Sequence, residues 1–260
     1  MPPPACPDTR AILNIAAYLF VTIDDVDALV SSIRRECEAR RLRGSVLVAP
    51  EGLNLFLAGL PTDVHGFLDG LREDPRFARL AAKESWSARV PFARLKVKRK
   101  AEIIAFRRAH ASPLVTGERA PSVSPRTLRR WIGQGRDDAG RRLVLLDTRN
   151  REEYGFGSFA GALTLPIDNF TALPEALAPH RAALADATVV SFCTGGIRCE
   201  KAALWLRQDG MDNLLQLDGG ILGYFEQVGG DGYDGRCFVF DARVALDPRL
   251  QPLADGVPGA

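Results

Sequence analysis

A strand that breaks straight into a glycine-rich turn bearing a cysteine, and leaves it as a helix, can fold in few ways. Residues 187–192 (Ala-Thr-Val-Val-Ser-Phe) are short, β-branched and apolar, as suits a strand buried on both faces of a parallel sheet. Cys193, Thr194, Gly195, Gly196, Ile197 and Arg198 follow, then Cys199, Glu200 and Lys201. Residues 202–206 are helix-compatible, and Gly210 stands where a helix would stop. The turn therefore aims the Cys193 sulfur at a helix N-terminus, where unpaired N–H groups and the helix dipole favour the thiolate. Gly195 and Gly196 let the backbone close into a ring of donors, and Arg198 adds a fixed positive charge.

A buried structural cysteine is the commoner fate of this residue type. Packing alone does not explain a cysteine, two glycines and an arginine within six residues. Cysteine phosphatases place one residue more between cysteine and arginine, usually after a histidine. Here four residues intervene and Phe192 precedes the cysteine, so the cradle suits a sulfur-bound atom better than a full phosphate.

The chain of 260 residues is long enough for two domains, and its net charge of +2 announces no global field for nucleic acid. No apolar run approaches the ~20 residues of a membrane span, and the N-terminus lacks the basic and apolar regions of a signal peptide. Cys6, Cys37, Cys193, Cys199 and Cys237 are odd in number and scattered, which suits reduced thiols in a cytoplasm. His65, His110 and His180 are isolated, so no metal site is expected.

Residues 12–21 read as a strand, and Thr22 and Asp25 have capping-box spacing. Val26, Leu29, Val30, Ile33 and Cys37 continue at helical spacing, with Gly44 as the expected stop. Strands at 45–49 and 53–58, a helix from Pro61 to about residue 73, and a strand near 83–90 complete βαββαβ, the order of a ferredoxin-like domain. The strip that follows holds Arg94, Lys96, Lys98, Arg99 and Lys100. By itself it reads equally well as a lysine-guarded edge strand or as a phosphate-binding strip for RNA.

Residues 109–123 read as a linker. Ser124 and Pro125 open a helix with Leu128, Trp131 and Ile132 inward. A strand at 143–146 ends in Asp147, Thr148 and Arg149, on the edge where open α/β sheets place their sites. A helix near 173–185 and a strand at 213–217 before Gly219 and Gly220 complete the pattern. The resulting division is an N-terminal domain over 1–108, a linker over 109–123, a catalytic domain over 124–246 and a fraying tail over 247–260.

Asp147-Thr148-Arg149, the Glu153 segment, Gly161-Ala162, the Cys193–Arg198 loop and Gly219-Gly220 together resemble a rhodanese domain. More narrowly, Cys-Thr-Gly-Gly-Ile-Arg-Cys-Glu-Lys at 193–201, Ala-Pro-Glu-Gly-Leu-Asn at 49–54, Arg-Leu-Lys-Val at 94–97 and Cys-Phe-Val-Phe-Asp at 237–241 resemble the rhodanese-domain-containing tRNA uridine 5-hydroxylases, the TrhO family. The likeness runs over about residues 12–246.

It implies a ferredoxin-like N-terminal domain followed by a rhodanese-like parallel-sheet domain. It also implies oxygen-dependent 5-hydroxylation of the wobble uridine of tRNA, with Cys193 as the essential nucleophile. Partners are then tRNA, with no DNA and no membrane; no oligomeric state is legible. No metal or flavin motif is evident, leaving molecular oxygen as co-substrate.

Arg198 is expected to stabilise negative charge, with Thr194, Gly195, Gly196 and Ile197 as the anion cradle. Asp147, Arg149 and Cys199 are candidate supports. For Cys199 a small core residue is slightly preferred over a thiol resolving an oxidised or persulfidated Cys193. Glu200 and Lys201 read as a helix-start charge pair. The rivals are a persulfide-carrying sulfurtransferase, which the loop alone favours, and a non-catalytic binding module, against which the intact Cys193 and Arg198 argue.

Overall fold

The structure is a computed structural model and describes residues 11–108 and 110–253. Cys6, part of the expected linker and the end of the expected tail lie outside these residues. The chain divides into two compact units. Of the described residues, the first holds 11–103 together with Phe240–Val244 and 251–253; the second holds those within 104–239 and Ala245–Leu250. Residues 240–244, which the sequence pattern places in the catalytic domain, thus go with the first unit.

In the first unit the order is β1 (Ile12–Phe20), α1 (Val26–Ala39), β2 (Arg43–Ala49), β3 (Gly52–Gly59), α2 (Pro61–Arg72), β4 (Ala82–Ser87) and β5 (Leu95–Arg99). The sheet runs β4-β1-β3-β2-β5, antiparallel except for the β2–β5 pair. This is the ferredoxin-like arrangement with one strand added at the edge. Val26, Leu29, Ile33 and Cys37 of α1 and Val64, Phe67, Leu68 and Leu71 of α2 are buried in one core with Leu13, Ile15, Leu55 and Leu57. The periodicities of 3.6 and 2 thus meet on one side of the sheet.

Two local expectations fail. The Thr22–Asp25 capping box does not form: Asp25 makes no side-chain cap to α1, and its carboxylate instead pairs with Arg76. Gly44 does not stop α1. The helix has already ended at Ala39, Arg41 takes the left-handed turn at φ +54°, and Leu42 N–H closes on Cys37 O. Gly44 lies inside β2 at φ +138°, where a Cβ would sit 2.0 Å from the Phe56 carbonyl oxygen. A residue that the sequence offers as a helix stop is there to let two strands approach.

The second unit contains α3 (Pro113–Thr116), β6 (Ser122–Val123), α4 (Pro125–Gln134), β7 (Arg142–Asp147), α5 (Arg151–Tyr154), β8 (Gly157–Phe159) and β9 (Leu163–Thr164). Then come α6 (Leu173–Leu177), α7 (Arg181–Leu184), β10 (Ala187–Phe192), α8 (Ile197–Gln208), β11 (Leu214–Leu217), α9 (Gly220–Val228), β12 (Tyr233–Gly235), β13 (Cys237–Phe238) and β14 (Ala245–Leu246).

Five strands form a parallel sheet in the order β6-β11-β10-β7-β9, so β10 is central. Every residue of β10 is buried, as its largely apolar sequence predicts, and the Thr188 and Ser191 hydroxyls are hydrogen-bonded to Asp137 and Leu215 O. The expected linker carries α3, capped by Ser112, and β6, which pairs with β11. Ser124 caps α4, its hydroxyl accepting from Thr127 N–H at 3.2 Å. Among the described residues no helix is long and apolar enough to cross a membrane.

Replacing Gly44 with alanine forces a Cβ onto the Phe56 carbonyl. A loss of about 2 kcal/mol or more is expected, measured as a lower midpoint in urea with an unchanged slope.

Candidate active site

The loop between β10 and α8 is built by its neighbours as much as by itself. Gly196 caps α8 at φ +103°, and its N–H donates to the Cys193 sulfur at 3.1 Å. From the start of α9, Ile221 N–H donates to Cys193 O at 2.9 Å and Leu222 N–H to Thr194 O at 3.1 Å. These bonds turn the loop carbonyls outward and leave its N–H groups facing the sulfur. Gly220 makes the approach possible: at φ +62°, a Cβ there would lie 2.5 Å from Cys193 O and 2.8 Å from Gly196 N. Thr194 and Gly195 are half-buried, while Cys193 is only 1% exposed.

Arg198 does not hang free over the loop. Its guanidinium grips Glu153 through two bonds of 2.6 Å, and both side chains are buried. Glu153 also accepts from Asn150 N–H at 3.1 Å, which ties the pair to the start of α5. Burial opposes ionisation of Glu153, but the Arg198 contact outweighs it and holds the carboxyl below its usual range.

At Cys193 burial likewise opposes the charge. A hydrogen bond from the Cys199 thiol, the Arg198 charge and the N–H groups of Cys199 and Arg198 overcome it, so the thiolate is favoured well below the ordinary thiol range. Cys199 is the opposite case. Burial, its hydrogen bond to Cys193 and the Cys193 charge push its thiol well up. Burial also pushes Cys37 and Cys237 up to about 12. Among the described cysteines, Cys193 alone is poised as a nucleophile.

Asp147 and Arg149 stand at the carboxyl end of β7, beside Phe192, but they face one another. Arg149 Nη2 bonds Asp147 Oδ2 at 2.6 Å and Gly157 O at 2.7 Å, and Ser158 donates to Asp147 at 2.8 Å. This fully buried pair is a strut under β8 and β12 rather than a group at the sulfur. Thr148, between them, donates to Phe192 O at 3.0 Å and lies 3.4 Å from the Cys199 sulfur. Beyond the loop, Arg119 grips Glu200 through bonds of 2.8 and 2.9 Å, and Lys201 Nζ bonds Ile104 O at 3.1 Å.

The second unit thus assembles Cys193, the 194–197 cradle, Arg198 and Cys199, with Asp147 and Arg149 beneath. The basic strip belongs to the first unit, on edge strand β5. Val97 is buried and Leu95 half-buried, while Arg94, Lys96, Lys98, Arg99 and Lys100 are exposed. Arg99 pairs with Asp27 of α1 at 2.6 Å. Spacing does not reveal Glu153 as the partner of Arg198, nor Gly220 as the seat of the loop. Two adjacent carboxylates at 152 and 153 and two adjacent glycines at 219 and 220 are the only signals.

Comparison with known proteins agrees with this architecture. Residues 12–103 match the UPF0176 acylphosphatase like domain and residues 124–227 the rhodanese-like domain. A tRNA uridine(34) hydroxylase of Xanthomonas euvesicatoria is 66% identical over 94% of this chain and 98% of its own length. That of Xanthomonas axonopodis is 66% identical over 93% and 97%, and that of Xylella fastidiosa 62% identical over 94% of both chains.

Cys193 is expected to react with iodoacetamide with a midpoint well below the ~8.5 of a free thiol. The sign follows from the charge: below the midpoint the thiol protonates and reactivity falls. Arg198→Met removes the cation and raises the midpoint. Alkylation followed by peptide mass spectrometry across a pH series reads both, and a wild-type midpoint at the free-thiol value contradicts the geometry.

Proposed function

The chain belongs to the family of tRNA uridine(34) hydroxylases, and from that premise we propose that it hydroxylates carbon 5 of uridine 34, the wobble base of tRNA, with molecular oxygen as co-substrate. The observation that carries the chemistry is the buried Cys193 sulfur, held as a thiolate by loop N–H groups and Arg198.

On this reading the thiolate adds to carbon 6 of the uracil ring. The electron pair of the carbon 5–carbon 6 double bond moves to carbon 5 and the carbon 4 carbonyl, giving an enolate. That electron-rich carbon 5 combines with oxygen and takes up a proton to become a hydroperoxide. Two thiols reduce the hydroperoxide to the alcohol, supplying two electrons and two protons, releasing water and ending as a disulfide. Loss of the carbon 5 proton and cleavage of the carbon 6–sulfur bond then give 5-hydroxyuridine and free Cys193. The cradle N–H groups and Arg198 steady the sulfur when it leaves as an anion. The scheme assigns no resident metal or flavin, because covalent addition itself makes the carbon reactive. A tRNA substrate and reduced cysteines suit the cytoplasm.

The target base must leave its neighbours to reach a loop-borne sulfur, as in other base-modifying enzymes. Contacts remote from the base are then needed to position the tRNA, and phosphate contacts do so without reading sequence. Lys96, Lys98 and Lys100 are exposed and serve that role best; Arg99 is partly committed to Asp27.

Two outcomes are expected. Purified protein and tRNA lacking the modification yield 5-hydroxyuridine in air but not under nitrogen, and Cys193→Ala abolishes it, by nucleoside mass spectrometry. No product, with sulfane-sulfur transfer to cyanide intact, supports the sulfurtransferase instead. Reversing the charge at Lys96, Lys98 and Lys100 together weakens tRNA binding and lowers the slope of log affinity against log salt by about 0.7–0.9 for each phosphate no longer neutralised. Unchanged binding returns the strip to edge protection.

A further inference from the structure

The Cys199 thiol is buried at 0% exposure, and the scheme above does not use it. It stands in the first turn of α8, whose cap Gly196 bonds the Cys193 sulfur, and lies close enough to that sulfur to favour its charged form. Thr148 packs beside it. The Thr148 hydroxyl is within bonding distance of Phe192 O, and its oxygen sits 3.4 Å from the Cys199 sulfur on the other side. Cys237, the other thiol near the loop, faces the Thr194 hydroxyl and Phe238 O instead.

We propose that Cys199 is a catalytic residue: it supplies the reducing equivalents for hydroxylation, and each turnover leaves a Cys193–Cys199 disulfide that an external thiol must reduce. This rests on the hydroxylase reading. Once Cys193 is bonded to carbon 6, its sulfur is only two bonds from the hydroperoxide-bearing carbon, and Cys199 lies beside that sulfur. Cys199 attacks the distal peroxide oxygen. The O–O bond breaks, carbon 5 keeps its oxygen as the alcohol, and Cys199 becomes a sulfenic acid. After Cys193 leaves carbon 6, its thiol attacks the Cys199 sulfenic sulfur, forming the disulfide and releasing water. Uridine, oxygen and two thiols thus give 5-hydroxyuridine, one disulfide and water, with both electrons drawn from sulfur.

The electrostatics fit the order of events. Apart from burial, the factors holding the Cys199 proton are its bond to the Cys193 sulfur and that sulfur's charge. Addition of Cys193 to the base removes the charge, while Arg198 remains to favour a Cys199 thiolate. Burial, the largest factor, is unchanged, so addition eases the hold on the Cys199 proton at the stage where the intermediate needs it.

Trypsin cuts after Arg198, between the two cysteines, so the disulfide appears as peptide 182–198 linked to peptide 199–201. The full chain is reduced, freed of reductant and mixed with excess unmodified tRNA in air, then compared with the same mixture containing dithiothreitol. The expected result is one 5-hydroxyuridine per chain without reductant, with the linked peptides in equal amount, and repeated turnover with it. Cys199→Ser, nearly isosteric, loses the reductant-free burst and regains product only as dithiothreitol is raised. Turnover beyond one per chain without reductant and without linked peptides overturns the proposal, as does a Cys193–Cys237 link in their place. A burst in Cys199→Ser equal to wild type does the same. If wild type makes no 5-hydroxyuridine even with dithiothreitol, the hydroxylase reading falls and this inference with it.

Discussion

An anionic sulfur shut away from solvent is stable only where positive charge and N–H donors meet it, and much of the second unit serves that condition. Arg198 brings the charge, but a buried guanidinium needs a counterion of its own, which Glu153 provides through two bonds. Removing one partner of such a buried pair typically costs about 3–5 kcal/mol. The pair therefore couples α5, at the end of β7, to α8, at the end of β10, and makes the sulfur's environment depend on both crossovers. The Cys199 thiol and the Arg198 charge act on the sulfur together with the loop N–H groups. Their aim in turn depends on α9 holding the carbonyls of Cys193 and Thr194.

What the sequence makes legible is what short-range pattern records. A β-branched run, two glycines and a helical stretch define the strand–loop–helix at 187–208, and alternating periods define βαββαβ. Long-range pairing is not written there. Gly44 follows a helix at the distance of a stop, and only the neighbouring Phe56 backbone shows why glycine is required. Glu152 and Glu153 are indistinguishable by type, yet the capping position at the start of α5 turns one inward and leaves the other exposed. Asp147 and Arg149 read as charges at a sheet edge. The fold closes them on each other, two residues apart, because β8 and β12 need a polar strut there.

The two units differ in where their charges sit. The first unit buries its apolar positions under two helices, encloses the Arg243–Asp241 pair and carries an exposed run of cations on its edge strand. The second places ionisable groups inside: Asp147, Arg149, Glu153, Arg198, Glu200 and Lys201 are all buried there. Exposed cations suit a long, hydrated polyanion, whose counterions they displace. Enclosed, paired charges suit chemistry at one atom, where the local dielectric is low and every donor is fixed before the reaction begins.

Phe240–Val244 belongs to the first unit although it follows nearly the whole of the second. Ala242 N–H donates to Pro91 O at 3.1 Å, and Arg243 pairs with Asp241 and bonds Ser85 Oγ at 2.7 Å. During synthesis the first 103 residues leave the ribosome long before this strap does, so the N-terminal sheet waits, with Ser85 and Pro91 unclasped, until the loop cysteine and its helix have also emerged. Nonsense or frameshift lesions anywhere upstream of residue 240 therefore damage both units. A gene fusion that exchanges one of them must carry these five residues across with the N-terminal half.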